Sequence, residues 1–273
     1  MDINGKVAIV TGGASGLGEA TVRAYVEKGA KVAIFDLNEE RAQNIISELG
    51  GEKVSFYQVN VADEASVKAA IDGVMQSWGA IHICNNYAGI GNAVKTLSKN
   101  GPFPLDSYKQ VIEVNLIGTF NVARLAAEQI AKNEPYDGAS ARGVIINTAS
   151  VAAYEGQIGQ VAYSSSKGGV VGMTVPMARD LASYGIRVNT IVPGLIHTPL
   201  FEMIPEEAYK SLEASVVNPK RLGRPEEIAH LSVMIAENEY MNAECSPVNH
   251  FPTLPCTPAH QRRPYLMAAH PKM

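Results

Sequence analysis

The first 240 residues alternate short runs of β-branched and other apolar residues with longer segments of helical periodicity. Short apolar runs bounded by Gly, Asp or Asn are typical of buried strands in a parallel sheet. Because strands that alternate with helices form βαβ units, we expect an α/β, doubly wound parallel sheet with helices on both faces. The predicted strands are 6–10, 31–35, 53–59, 81–84, 143–147 and 186–191. The predicted helices are 17–28, 39–49, 64–77, 105–131, 162–183 and 225–236, and the predicted loops are 91–104 and 132–142.

Composition and charge exclude several classes of protein. The 273 residues carry a formal net charge of −4, which argues against electrostatic binding of nucleic acid. No apolar run approaches the roughly 18–20 residues of a membrane helix. Residues 1–6 lack the pattern of a signal or transit peptide, and three cysteines are too few for a disulfide framework or a zinc site. We expect a cytoplasmic protein that binds neither nucleic acid, membrane nor metal, with the mitochondrial matrix as the alternative location.

A glycine-rich turn at residues 11–18 (TGGASGLG) follows the first predicted strand and opens the first predicted helix. Glycines let the backbone approach a pyrophosphate, whose charge meets the free N–H groups at the start of the helix. An ordinary βα turn is the alternative, but the strand–turn–helix context favours a Rossmann-type nucleotide site. No Gly-Lys-Ser/Thr follows, so the turn is not a P-loop. The predicted cofactor-binding residues of this turn are Gly12, Ser15, Gly16, Leu17 and Gly18.

An acid, Asp36, ends the second predicted strand about 20 residues beyond the glycines, where a carboxylate can accept hydrogen bonds from adenosine ribose hydroxyls. A 2′-phosphate would be repelled there, and the glycine turn contains no Arg or Lys, so NAD is preferred to NADP. The alternative role for Asp36 is to cap the next helix, although Asn38 could equally do so.

A tyrosine and a lysine four residues apart, Tyr163 and Lys167, project from one face of a predicted helix. A nearby ammonium is expected to lower the pKa of the phenol from its usual value of about 10. Such a phenol can move a hydroxyl proton while a hydride is transferred to or from a nicotinamide. Ser150, at the end of a predicted strand, can hold the substrate oxygen beside it. The alternative is a solvated helix pair and a turn serine, but Tyr163 alone among 11 tyrosines has Lys at the fourth position beyond it.

These motifs together resemble the short-chain dehydrogenase/reductase family over about residues 1–244. The resemblance implies an Asn115–Ser150–Tyr163–Lys167 active site with bound NAD. Lys167 would also hold the nicotinamide ribose, Asn115 would support Lys167 through a water in a proton relay, and Thr198 would contact the carboxamide. The cofactor-binding residues outside the glycine turn and Asp36 are then Asn60, Val61, Asn86, Ala88, Gly89, Tyr163, Lys167, Pro193, Gly194 and Thr198.

Three stretches carry a narrower resemblance: 115–125, 142–188 and 221–231. They are similar to the branch of short-chain 3-hydroxyacyl-CoA dehydrogenases that includes 17β-hydroxysteroid dehydrogenase type 10. This branch implies reversible NAD-linked oxidation of a 3-hydroxyacyl-CoA to the 3-ketoacyl-CoA. The alternatives are a steroid or other alcohol dehydrogenase of the same fold, and a non-catalytic NAD-binding protein impaired by its C-terminus.

Two positions depart from the family pattern inside the expected cofactor site. Asn60 replaces the usual Asp before Val61, but its amide oxygen can still accept a hydrogen bond from the adenine amine. Tyr87 replaces a smaller residue in the Asn-x-Ala-Gly motif and is expected to crowd the cofactor bed.

The composition changes sharply after Glu244, because residues 245–273 contain six of the 15 prolines and no Gly, Asp or Glu. Prolines cannot donate ladder hydrogen bonds, so we expect the family's last strand to be missing, with a single domain at 1–244 and a disordered tail at 245–273. The exposed sheet edge would put the family's homotetramer in doubt. Our hypothesis is a change of reading frame or exon after Glu244; the rival is a genuine Pro-rich extension that binds a partner.

Overall fold

The computed structural model describes residues 1–136, 138, 140–199 and 206–249. Nine strands lie in these ranges: β1 Val7–Thr11, β2 Lys31–Asp36, β3 Val54–Gln58, β4 Ile83–Asn86, β5 Leu97–Ser98, β6 Gly101–Pro102, β7 Gly143–Thr148, β8 Ile186–Pro193 and β9 Cys245–Val248. Seven of them form one parallel sheet in the order β3-β2-β1-β4-β7-β8-β9. The predicted fold class is therefore confirmed.

Helices cover both faces of this sheet. Those described are α1 Gly16–Glu27, α2 Glu39–Leu49, α3 Glu64–Trp78, α4 Leu105–Ile112, α5 Gly118–Ile130, α6 Ala152–Glu155, α7 Val161–Leu181, α8 Glu206–Ser215 and α9 Pro225–Glu237, with a π-helical turn at Glu113–Ile117 and a 3-10 turn at Ala182–Tyr184. Alternate residues of β1 enter two separate cores: Ala8 packs with α1, α2 and α9, and Ile9 packs with α3, α5 and α7. A strand buried on both faces explains the continuous apolar run in the sequence.

The expectation that the last strand is missing is wrong, because β9 pairs in parallel with β8. The carbonyls of Glu244 and Val248 accept the N–H groups of Thr190 and Gly194, both at 2.8 Å. Backbone polar groups alternate sides along a strand, so the nitrogen of Pro247 faces away from β8. This strand is the last in the described sheet, and an edge position tolerates proline where a central one does not.

The presence of β9 also removes the basis for the expected exposed edge, since all eight residues of β8 are buried. The sheet extends four residues past the predicted boundary at residue 244. The division into a domain and a tail otherwise stays a prediction, because residues 250–273 lie outside the described ranges.

Two segments have a local structure that differs from the one predicted from the sequence. The helix predicted over 105–131 consists of α4 and α5 joined by the π-helical turn, which places Asn115 in its middle. The loop predicted over 91–104 contains a small antiparallel ribbon formed by β5 and β6. Single π turns inside helices are frequent at functional sites, and this one lies beside the cleft.

Candidate active site

A cleft of about 700 Å³ opens at the carboxyl ends of the sheet strands and reaches from the glycine turn to the catalytic candidates. Ligands of doubly wound sheets bind in the crevice where the strand order reverses, here between β1 and β4. Fifteen of the predicted cofactor residues line it: Gly12, Ser15, Gly16, Leu17, Gly18, Asp36, Asn60, Val61, Ala88, Gly89, Tyr163, Lys167, Pro193, Gly194 and Thr198.

The glycine turn is shaped to admit a group close to the backbone. Gly12 has a φ of +64°, and a Cβ there would lie 3.0 Å from the nitrogen of Ala88. A Cβ on Gly18 would lie 2.1 Å from the carbonyl oxygen of Gly12, so only glycine fits where α1 meets the turn. Ser15 is the N-cap of α1, but its side chain accepts no hydrogen bond from the described first turn. The N–H groups at this helix end therefore remain available for a phosphate.

The carboxylate of Asp36 stands at the end of β2 beside the glycine turn. Its two oxygens accept hydrogen bonds from the nitrogens of Ala14 and Asn38, each at 3.0 Å. The cap of α2 is Asn38, whose side chain accepts the N–H of Arg41 at 2.9 Å. Since a carboxylate has about four acceptor sites, Asp36 retains capacity for the two hydroxyls of a ribose.

The adenine end of the cleft is lined by Asn60 and Val61. The side-chain oxygen of Asn60 accepts the N–H of Ala62 at 3.1 Å, which leaves it one further lone pair for an adenine amine. The carbonyl of Val61 is held by the amide of Asn121 at 2.9 Å. The substitution of Asn for Asp at position 60 is thus compatible with the predicted role.

The residue Asn86 is the one predicted cofactor residue that the structure places outside the cleft. It is only 3% exposed, and its amide donates to Asn147 on the adjacent strand β7 at 3.0 Å. The next two residues, Tyr87 and Ala88, form the floor of the cleft. Their N–H groups both donate to the hydroxyl oxygen of Thr11, at 3.1 Å and 3.0 Å. We conclude that Asn86 supports the floor from below, because its side chain is committed to β7.

The catalytic candidates Ser150, Tyr163 and Lys167 meet at the other end of the cleft. The side chain of Ser150 lies close enough to the phenol of Tyr163 to lower its pKa. The ammonium of Lys167 lies 5.7 Å from the centroid of the Tyr163 ring and donates to the carbonyl of Thr148 at 2.8 Å. Ser150, just after β7, thus meets Tyr163 and Lys167, which both lie on α7.

Burial dominates the protonation of this cluster. It raises the pKa of Tyr163, an effect that the neighbouring hydroxyl of Ser150 only partly offsets. It lowers the pKa of Lys167 to about 8, because an ammonium loses its hydration in a site only 4% exposed. The expected net lowering of the pKa of Tyr163 is therefore wrong for this geometry. Desolvation outweighs the attraction of an ammonium that lies over the ring.

The side chain of Asn115 is fully buried in the π-helical turn and does not line the cleft. Its amide exchanges two hydrogen bonds of 2.8 Å with the backbone of Ile90 and donates to Ser166 at 3.1 Å. Asn115 thus fixes the segment directly after Gly89 against the helix that carries Tyr163. Its water-mediated contact with Lys167 stays a prediction.

Several residues that line the cleft were not predicted from the sequence. They include Gln110, Glu113, Val114, Thr148, Ile196 and Pro199. Thr148 ends β7, and the rule that ligands bind at carboxyl ends of strands could have identified it. Glu113 and Val114 could have been found from their proximity to Asn115, but the π turn that exposes them to the cleft has no sequence signature.

Within the described ranges, no helix is long and apolar enough to cross a membrane. The same residues contain no group of three or more His, Cys, Asp or Glu side chains arranged as metal ligands.

A crevice of nucleotide size that ends at a half-buried phenol and a buried ammonium fits an oxidoreductase acting with a nicotinamide dinucleotide. The sequence motifs of the chain indicate which family of oxidoreductases it belongs to. The chain belongs to the short chain dehydrogenase family, whose model matches residues 6–208. The resemblance drawn from the sequence is thus confirmed.

The relatives of this chain agree with that assignment. It is 49% identical over 244 residues to 3-hydroxyacyl-CoA dehydrogenase type-2 of Rattus norvegicus, covering 89% of this chain and 93% of the relative. It is 36% identical over 242 residues to the 3-oxoacyl-(acyl-carrier-protein) reductase FabG of Thermotoga maritima, covering 88% and 93%. The crystal structure of 3-hydroxyacyl-CoA dehydrogenase type-2 from Mycobacterium avium superposes with a TM-score of 0.84 at 43% identity, covering 89% and 94%.

Proposed function

We propose that this enzyme reversibly oxidises a 3-hydroxyacyl-CoA to the 3-ketoacyl-CoA with NAD as the hydride acceptor. The observation that carries the proposal is that Ser150, Tyr163 and the buried Lys167 meet at the end of the nucleotide cleft that Gly194 and Thr198 line. The relatives named 3-hydroxyacyl-CoA dehydrogenase type-2 support the substrate class.

The proposed chemistry divides between the cofactor and three side chains. NAD, held by the glycine turn, Asp36 and Lys167, would supply the acceptor for the hydride of the alcohol carbon. Ser150 orients the substrate oxygen, and Tyr163 takes the hydroxyl proton of the alcohol in oxidation and returns it in reduction. Lys167 stabilises the ionised phenol and, with a pKa of about 8, exchanges protons readily near neutral pH.

The choice of NAD over NADP rests on the carboxylate of Asp36. Its position at the end of β2, tied to the glycine turn through Ala14, supports hydrogen bonds to both ribose hydroxyls. A 2′-phosphate at the same place would meet a like charge, which costs binding free energy unless a cation intervenes.

The test is formation of NADH from NAD and 3-hydroxybutyryl-CoA, measured by absorbance, with Tyr163→Phe as the matched variant. We expect turnover by the wild type and a loss of at least roughly 100-fold in kcat for the variant, which still binds NADH. A wild type that binds NADH but oxidises no acyl-CoA would contradict the proposal. A higher kcat/KM for a steroid or a simple secondary alcohol would replace the acyl-CoA with that substrate.

A further inference from the structure

The tyrosine at position 87 is anchored on the core side of the cleft floor. Its hydroxyl lies 2.9 Å from the hydroxyl of Thr21 in α1 and 3.4 Å from the amide of Asn85 in β4, and it is hydrogen-bonded to Ser232 in α9. Its ring packs against the core formed by α1, α2 and α9. Tyr87 lines the cleft, but its hydroxyl is bound by two helices on the core side. The expectation that Tyr87 crowds the cofactor bed stays a prediction.

The backbone of the same residue forms part of the floor itself. The N–H of Tyr87 meets the hydroxyl oxygen of Thr11, which also accepts the N–H of Ala88. A Cβ on Gly12 would lie 3.2 Å from the carbonyl carbon of Tyr87, so the glycine turn rests directly on this backbone. Tyr87 thus joins two helices through its side chain and the glycine turn through its main chain.

We propose that Tyr87 is a positioning residue that couples α1 and α9 to the floor of the nucleotide cleft and so sets the affinity for the dinucleotide. This inference rests on the proposed use of NAD. We call the side chain of Tyr87 the tether: α1 and α9 hold its hydroxyl at one end, and the backbone at its other end contacts Gly12. Loss of the hydroxyl is expected to let the floor residues Tyr87 and Ala88 shift. The catalytic candidates should stay in place, because Ser150, Tyr163 and Lys167 lie on other elements.

Two of the three partners of Tyr87 keep another acceptor when its hydroxyl is removed, whereas the buried amide of Asn85 loses the only acceptor described for it. Thr21 also bonds the carbonyl of Leu17 at 2.8 Å, and Ser232 bonds the carbonyl of Ile228 at 3.1 Å. Tyr87→Phe is expected to fold with a modest loss of stability, because the one donor it leaves unpaired, the amide of Asn85, made only a long bond of 3.4 Å.

The experiment compares Tyr87→Phe, Ser232→Ala and the double variant by NADH titration, monitored by fluorescence, and by steady-state kinetics. We expect each single variant to raise the Kd of NADH and the KM of NAD roughly three- to tenfold, with kcat at saturating NAD unchanged. The double variant should show an effect close to that of one single variant, because both substitutions break the same tether.

Tyr25→Phe is the matched control. Tyr25 is fully buried in α1, and its hydroxyl bonds Asn85 at 2.9 Å, in the same polar network but without contact to the glycine turn among the described residues. It should lower thermal stability without changing the Kd of NADH. An equal shift in Kd for Tyr25→Phe and Tyr87→Phe, or unchanged NADH binding by Tyr87→Phe, would overturn the inference. A wild type that binds no NADH would instead refute the proposed function.

Discussion

Among single residues, Lys167 shows most clearly how catalysis and stability make opposite demands. Its ammonium is buried, and burial lowers its pKa from 10.5 to about 8. Below pH 8 the folded protein carries a poorly hydrated charge, whereas the unfolded chain keeps that charge in water. The group that assists Tyr163 therefore reduces the free energy of unfolding at neutral pH.

Replacing this charge should stabilise the protein. We expect Lys167→Met to raise the free energy of unfolding at pH 7 by about 2 kcal/mol, after the hydrogen bond to Thr148 is lost, and to abolish turnover. The folded wild type binds fewer protons than the unfolded chain between about pH 8 and 10.5, so its stability rises with pH there and the advantage of the variant shrinks.

Denaturant unfolding at pH 7 and pH 10 would measure this difference. Lys53→Met, at an exposed lysine, should change stability little at either pH. A Lys167→Met variant that is less stable than the wild type at pH 7 would contradict the argument.

The second residue-scale prediction concerns cofactor choice. Asp36→Asn keeps an acceptor for a neighbouring N–H but removes the charge that repels a 2′-phosphate. We expect the ratio of kcat/KM for NAD to that for NADP to fall about tenfold or more, measured with one acyl-CoA substrate.

Asp63→Asn provides the control for this substitution. Asp63 caps α3 by accepting the N–H of Ala65 and does not line the cleft, so the cofactor ratio should not change. A ratio that changes equally in both variants would show that Asp36 does not select the cofactor.

At the scale of elements, β9 is joined directly to the nicotinamide end of the cleft. The N–H of Gly194 donates to the carbonyl of Val248, and the carbonyl of Pro193 accepts the N–H of Val151 next to Ser150. A Cβ on Gly194 would lie 2.5 Å from the carbonyl oxygen of Asn249 and 2.9 Å from that of Val248. An edge strand that the sequence does not reveal thus helps to position the cleft.

This contact predicts that Gly194→Ala separates β9 from β8 and moves the turn that lines the cleft. We expect a lower melting temperature and a rise in the KM of NAD of roughly tenfold or more. Gly172→Ala, inside α7 with no described atom within 4 Å of the added Cβ, should stabilise by about 0.5–1 kcal/mol and leave KM unchanged. Equal KM values for the two variants would refute the role of β9.

For the whole molecule, the question is which part of the C-terminal segment the fold requires. We expect a chain that ends at Asn249 to keep NADH binding and turnover, and one that ends at Glu244 to lose both and to aggregate. The shorter chain loses β9, which leaves β8 as an unpaired edge. Size-exclusion chromatography and NADH titration would measure the outcome, and normal binding by the shorter chain would contradict it.

The origin of residues 245–273 is a separate question. Sequencing the gene across the codons of Glu244 and Cys245 tests the hypothesis of a changed reading frame, and an intact frame would reject it. The oligomeric state also stays open to measurement, because β9 removes the structural reason for doubting a tetramer without establishing one.

The order of strands and helices was predictable because it depends on local periodicity and on turn residues such as those around Gly12. The central catalytic cluster was predictable for a similar reason: a spacing of four residues places Tyr163 and Lys167 on one helix face. The π-helical turn around Asn115 was not, since it lies within an otherwise ordinary helical pattern. Its local geometry depends on packing that the periodicity does not encode.

The sequence by itself determined the doubly wound sheet, the glycine turn, the position of Asp36 and the residues of the catalytic cluster, because each follows from local patterns. Only the tertiary structure decided the rest. Pro247 joins a strand because its nitrogen faces the open edge, and Tyr87 turns toward α1 and α9 because hydroxyl partners meet it there. The pKa of Tyr163 rises because desolvation depends on everything packed around the phenol, which no spacing between two residues can specify.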